Sequence, residues 1–470
     1  MNTTPKNETL FEKEPVWKAI AKMSIPAIVT SLVIVLYSIA DMFFVGKTGD
    51  PLQIAAISLS GPIFAVLMAL GSLIGSGSSA AIAKALGNKD TQTVKVYSSL
   101  CCSFSVVLGI VLAATLLFLR NPLLTLLGTT PEVRAYTRTY MTIITMGSPF
   151  ILFANAAANV IRSEGAAKES MVGNGIATLI NIVLDPLFIL FFNMGVGGAA
   201  IATVIGNIAG CLYFIYYLVK KTNSLSLHPQ YSRKQGRALV HLLALGLPTA
   251  LSSILMCVSG TVSNQLISSY GSHAIAAMAV AGKAGMVVAM VQIGICMGSQ
   301  PLLAYNYGAK NLPRTREIIK KLAITTIVSG VLLTLLCGLF REQLVTMFIH
   351  DNQVITLGKH MVTVMLLSSP VIGLYYLSTC FLQSAGNAGF ANIVAILRQG
   401  IILIPLLYLL NKLMALDGLI VAQIAADAVS IGIGILLCIV QYRRLNVATA
   451  TNAVIDIADH ADHRKIIFVK

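Results

Sequence analysis

The sequence predicts an all-α integral membrane protein. Twelve transmembrane helices are expected, in two pseudo-symmetric six-helix lobes related as a parallel repeat around a central cleft. Three observations predict it. The chain is 56% hydrophobic and 11% charged, with mean hydropathy +0.82; soluble domains carry roughly 25% charged residues. Its apolar runs are about 20 residues long, the length that crosses a bilayer as a helix. They are continuously apolar rather than alternating, which excludes a barrel. Finally, residues 20–160 and 241–381 carry one pattern twice. Ser148-Pro149 recurs as Ser369-Pro370, Arg162-Ser163-Glu164-Gly165 as Gln383-Ser384-Ala385-Gly386, and Gly87-Asn88-Lys89-Asp90 as Gly308-Ala309-Lys310-Asn311. Fused membrane half-bundles of this kind commonly meet at a central binding site and rock against each other.

The polar start, residues 1–17, reads as a cytoplasmic segment without a cleavable signal peptide. The first lobe, 18–219, holds spans at 18–45, 54–83, 96–119, 136–160, 171–193 and 198–219. A polar inter-lobe loop, 220–239, follows. The second lobe, 240–441, holds spans at 240–269, 275–306, 318–340, 356–381, 391–411 and 418–441. Six crossings per half return the chain to its starting side, so both halves enter the membrane in the same sense. Lys and Arg set the orientation. Lys220, Lys221, Arg233, Lys234, Arg237, Arg314, Arg316, Lys320 and Lys321 all fall on one side, which places both termini in the cytoplasm. The tail, 442–470, is polar and mixed.

The net charge of +15 does not point to nucleic acid, because the basic residues lie in short loops between apolar runs. The eight cysteines sit in apolar runs without a CxxC pair, and read as small buried hydrophobes. Val45-Gly46-Lys47-Thr48 mimics the end of a phosphate-binding loop. That loop needs a glycine five residues before Gly46, where this chain has Asp41. The seven histidines form no metal-ligand motif. ATP-driven transport and membrane hydrolysis lose support, no cofactor is expected, and an ion gradient remains as the energy source.

Polar groups at membrane depth carry the remaining information. A central charged residue costs roughly 2.5–3.5 kcal/mol on insertion scales, so it commonly lines a cavity. Asp41 follows Tyr37 in the first span. Asn181 and Asp185 are four apart in the fifth span, as are Thr203 and Asn207 in the sixth and Asn155 and Asn159 in the fourth; that spacing shares a helical face. Two carboxylates with neutral oxygen donors suit a hard cation. Two carboxylates in one dry cavity also repel, which favours taking up a proton. Asp41, Asn181, Asp185 and Thr203 are therefore the candidates for coupling to H⁺ or Na⁺. Tyr37, Asn155, Asn159, Asn207, Lys283 and Asp427 are secondary polar candidates. Phe64, Met68 and Met256 are candidates for the substrate cleft, since Met adapts to varied ligands. Helix-to-helix bonding is the competing reading for the amides and hydroxyls.

The second half does not repeat the acids. Asp41 aligns with Ser263, and Asp185 falls near Ile404 beside Pro405. Asp427 takes the place of Asn207, with Gln423, Lys283 or Arg398 as candidate partners. Ionic coupling is therefore expected in the first lobe, with the second contributing cavity wall and motion.

Several stretches resemble the multidrug and toxic compound extrusion (MATE) transporters, bacterial multidrug branch. They are Tyr37-Ser38-Ile39-Ala40-Asp41-Met42-Phe43-Phe44-Val45-Gly46, Ile82 to Asp90, Arg162 to Gly165, Asn181-Ile182-Val183-Leu184-Asp185-Pro186, and Ala304 to Lys310. The resemblance implies export of lipophilic, mostly cationic small molecules across a bacterial plasma membrane in exchange for H⁺ or Na⁺. It also implies an acidic first-lobe site at Asp41, Asn181, Asp185 and Thr203. Acids that some branches place in helices seven and ten are absent from 257–267 and 356–380. The alternative is a lipid-linked sugar flippase, which would need several basic residues in the cleft; only Lys283 and Arg398 suggest themselves. Membrane lipid is the expected surrounding partner, and one internally duplicated chain suffices as a monomer.

Overall fold

The computed structural model describes residues 9–222, 224–232, 235–346 and 351–467, the side chains of 37–39, 42, 344, 352 and 445–467 excepted. Among the described residues the chain is helical, without strands. The first lobe is built from α1 (Val16–Gly46), α2 (Pro51–Gly87), α3 (Thr91–Phe118), α4 (Pro131–Met146 and Ser148–Ser163), α5 (Ala167–Pro186) and α6 (Gly195–Lys220). The second repeats it with α7 (Gly236–Ile267), α8 (Ser272–Gly308), α9 (Leu312–Leu339), α10 (Asn352–Met365 and Ser369–Ser384), α11 (388–414) and α12 (416–467).

Ten helical stretches among the described residues are long and apolar enough to cross a membrane, and the two halves of α4, bent by 52°, make an eleventh. The last apolar stretch, Ala388–Arg444, is two crossings. Ala415 breaks it at φ 52°, ψ −130°. A Cβ on Gly418 would lie 2.0 Å from the Leu410 carbonyl, so the chain doubles back against itself there.

The repeat holds at the level of local geometry. α4 breaks before Ser148-Pro149 and α10 before Ser369-Pro370, because the ring of a proline inside a helix displaces the preceding turn. α5 ends in a π-helical turn, Leu187–Phe191, and α11 contains one at Leu397–Ile402. The loops after α2 and α8 match as well. Lys89 and Lys310 adopt φ of 60° and 54°. The next residues, Asp90 and Asn311, then cap α3 and α9 by accepting from Thr93 N (3.0 Å) and Arg314 N (3.2 Å).

The lobes meet where the N-terminal end of α1 and the C-terminal ends of α2 and α8 converge. α1 packs on α8 and α2 packs on α7, a pairing that swaps under the repeat. Gly87 and Gly308 face each other's helix: a Cβ on Gly87 would stand 2.0 Å from the Tyr305 carbonyl, and one on Gly308 2.2 Å from that of Lys84. Across the same seam Ser24 Oγ bonds Ser299 Oγ (2.8 Å), and Lys84 Nζ donates to the Ala385 carbonyl (3.0 Å). The preceding segment also lies here: Phe11 stacks on Tyr305, and its carbonyl accepts from Arg314 Nε at 2.8 Å.

Candidate functional site

A cavity of about 270 Å³ lies between the lobes. Its wall is mostly first-lobe, from α1, α2, α4, α5 and α6, closed by Thr249 of α7 and Ile293, Gly294 and Met297 of α8. Of the sequence candidates, Phe64, Met68, Asn155, Asn159, Asn181, Thr203 and Asn207 line it. Small residues make this possible. A Cβ on Gly206 of α6 would sit 2.4 Å from the Ala177 carbonyl and 3.2 Å from Asn181 Cβ. Glycine there lets α6 close on α5 and brings Thr203 beside Asn181. Gly71 and Gly75 of α2 do the same for the amides of α4: their Cβ atoms would fall 3.0 Å from Asn155 and 2.7 Å from Asn159.

The four candidates named for coupling form one buried group. Asn181 Nδ2 lies 3.4 Å from both Asp185 Oδ1 and Thr203 Oγ1. Thr203 Oγ1 donates to the Ala199 carbonyl at 3.0 Å, and Asn207 Nδ2 donates to the Thr203 carbonyl at 2.8 Å. Asp41 and Asp185 lie within Coulombic range of each other. Asp41 is 6% exposed and Asp185 fully buried. Asp41 Oδ1, Asn181 Oδ1 and Asp185 Oδ2 are buried oxygens without a hydrogen-bond partner among the described residues. Buried polar atoms are ordinarily satisfied, so three together mark a place that receives something. The π-helical turn of α5 begins two residues after Asp185, and such turns recur at functional sites.

Two residues absent from the sequence candidates belong here. Tyr140 of α4 is buried within electrostatic range of both Asp41 and Asp185. Arg162, in the last turn of α4, lines the cavity beside Asn159. The only sequence signal for Tyr140 was a phenol inside an apolar span. Arg162 stood in the repeated helix end, but periodicity does not say which neighbour a helix end meets.

Other candidates lie elsewhere. The Tyr37 side chain is outside the described residues. Met256 is 56% exposed and, like Lys283, does not line the cavity. Asp427 is structural in its contacts: its Oδ1 accepts from Arg398 Nε (2.8 Å) and Gln423 Nε2 (3.0 Å), and the guanidinium lies 4.6 Å over the Tyr375 ring. The basic residue in the cavity wall is therefore Arg162, and not Lys283 or Arg398 as the sequence suggested. All eight cysteines are free, but Cys257 is exposed and Cys337 and Cys438 are half-buried rather than buried.

A family model described as MatE matches this chain twice, over residues 26–187 and 248–409. The chain belongs to the MatE family. The two matched stretches begin at Pro26 and Pro248, the prolines inside α1 and α7, so the family unit is the repeat itself. The multidrug export protein MepA of Staphylococcus saprophyticus is 33% identical over 426 residues, 90% of this chain and 94% of that protein. MepA of Staphylococcus aureus is 32% identical over 447 residues, 95% of this chain and 99% of that one. Among solved structures, an outward-facing multidrug resistance MATE family transporter of the MOP superfamily superposes with TM-score 0.89 at 23% identity, covering 94% of this chain and 99% of its own. A MOP superfamily transporter from Pyrococcus furiosus, described as having a binding pocket of reverse polarity, superposes with TM-score 0.87 at 23% identity, covering 95% and 100%. At such identity these structures establish the fold. Membership makes this MatE protein a multi-pass bacterial membrane transporter rather than an enzyme.

Proposed function

We propose that this protein exports small lipophilic, mostly cationic compounds in exchange for H⁺ or Na⁺ by alternating access, with both termini cytoplasmic. The observation that carries the reading is the group of unpartnered buried oxygens on Asp41, Asn181 and Asp185, set against a cavity shared by two lobes. The relatives named multidrug export proteins support the cargo. Hard cations prefer such oxygens, and a proton would relieve the repulsion between the carboxylates.

In this reading the ion enters beside Asp41 and Asp185 and neutralises them. Asn181 links Asp185 to Thr203, which faces the cavity, so the ion's arrival changes the polar wall that holds the cargo. Lobes 18–219 and 240–441 then rock about the loop 220–239. Each charge crossing 100 mV supplies about 2.3 kcal/mol. A lipid-linked sugar diphosphate would call for several basic groups, whereas among the described residues Arg162 is the one basic group in the cavity wall.

The test is export of a fluorescent organic cation from proteoliposomes under an imposed pH gradient, a Na⁺ gradient, or neither. Export that requires one gradient and fails in Asp41→Asn supports the reading and names the ion. Export unaffected by either gradient or by the substitution would sink it.

A further inference from the structure

The geometry points to a second recognition element inside the cavity: where a cargo molecule carries a carboxylate or similar oxyanion, Arg162 is the residue that receives it, and so sets the preference between zwitterions and plain cations. This rests on the export reading and assigns one residue of this chain to cargo selection.

A guanidinium lining an apolar cavity ordinarily has a counter-charge, because desolvating it alone is costly. Arg398 of the second lobe obeys that rule, with Asp427 on its Nε and Tyr375 under its face. Arg162 does not. Its Nη2 donates to a neutral amide oxygen, Asn159 Oδ1, at 2.8 Å, and its Nε is buried without a partner among the described residues. The acid nearest in sequence, Glu164, is engaged elsewhere: its oxygens accept from Tyr217 (2.5 Å), Thr222 (2.7 Å) and Ser224 (2.6 Å).

The guanidinium is also held in place. Asn159 Nδ2 donates to the Asn155 carbonyl at 2.8 Å, which turns Asn159 Oδ1 toward Arg162. Gly75 leaves room for that amide. Behind it the helix ends at Gly165, whose φ of 91° suits glycine. A planar guanidinium with unused N–H groups matches a carboxylate in both charge and shape. On the same cavity wall Asn181 donates to Thr203 and to the Asp185 carboxylate, with Asp41 within Coulombic range of Asp185, and these acids attract the opposite charge. One small molecule carrying an amine and a carboxylate complements both.

The experiment measures binding to the purified full chain of two fluorescent probes with one aromatic body: a quaternary ammonium cation, and the same cation bearing a carboxylate. Wild type is expected to bind both. In Arg162→Gln the zwitterion-to-cation affinity ratio should fall about tenfold or more, since a charge-assisted pair is lost. Asn159→Asp, which puts a carboxylate on the guanidinium, should lower the ratio likewise, and carries the test alone if Arg162→Gln does not fold. A ratio unchanged in the variants overturns the inference, as does wild type that binds the cation and ignores the zwitterion; gradient-driven export of the cation would then leave the export reading standing. Wild type binding neither probe overturns both. Displacement of the zwitterion by phosphatidylglycerol at equal concentration, without zwitterion export, would assign Arg162 to a lipid phosphate instead and overturn it too.

Discussion

At Thr203 and Asn207 of α6 the first lobe turns a hydroxyl and an amide toward an open cavity. At the repeat-related Gln423 and Asp427 of α12, the second lobe instead holds a carboxylate between the Gln423 amide and Arg398, both of which donate to it. The same holds on the facing helix, where Asn155 of α4 lines the cavity and Tyr376, its counterpart in α10, lies 5.7 Å from the Arg398 guanidinium. One backbone plan thus supports two kinds of polar interior. In the first lobe two buried acids keep oxygens without a hydrogen-bond partner among the described residues; in the second a buried acid and a base neutralise each other. Duplication conserves helix packing, which depends on small residues and prolines, while the polar side chains diverge freely inside it.

Substitutions can break this contrast. Asp41→Asn and Asp185→Asn should each reduce gradient-driven export at least about tenfold, toward leak, because they keep shape and remove the charge to which the proposed coupling is assigned. Proteoliposome flux on folded protein measures this, and full transport by both would erase the distinction between the lobes. Asp427→Asn should cost export less; a loss as complete as in Asp41→Asn would move the ionic chemistry into the second lobe.

Arg398→Met should lower unfolding free energy by about 3–5 kcal/mol by stranding a buried carboxylate, and the double variant Arg398→Met with Asp427→Leu should recover most of it. Thermal melts of the cycle decide: additive losses would mean that the pair is not a unit. Gly87→Ala and Gly308→Ala should act alike, each costing about 1–3 kcal/mol by forcing a methyl into the opposite lobe. Spin labels at Lys89→Cys and Lys310→Cys should then report a wider seam, and unequal effects would show that the repeat-related contacts are not equivalent. The smallest change is expected from Glu164→Gln, about 1–2 kcal/mol, since hydrogen bonds from Tyr217, Thr222 and Ser224 weaken without the negative charge. The second lobe has Ala385 at that place, so Ala385→Ser should leave the melting temperature nearly unchanged.

Much of this was legible in the sequence. The Ser-Pro pairs at 148 and 369 marked the repeat, and the structure adds a break at each inside spans read as continuous, since proline acts locally. The i, i+4 pair Asn181 and Asp185 foretold a shared face, and the two do approach. Arg162 and Tyr140 were missed because their importance depends on contacts with residues from other helices. Met256 and Lys283 were drawn in because their chemistry suited a cleft, but α7 and α8 line the cavity at other positions, Thr249, Ile293, Gly294 and Met297.

Composition and periodicity by themselves determined that the chain crosses a membrane, that it does so as helices, and that one half is written twice. Hydropathy and backbone hydrogen bonding are properties of each segment alone, so no partner is needed to read them. Only the tertiary structure decided which polar groups share a cavity, that Asp427 belongs to Arg398, and that Arg162 pairs with no acid among the described residues. Those outcomes depend on how helices far apart in sequence rotate and approach. At Gly206, Gly75, Gly87 and Gly308 the approach is set by the absence of a single Cβ.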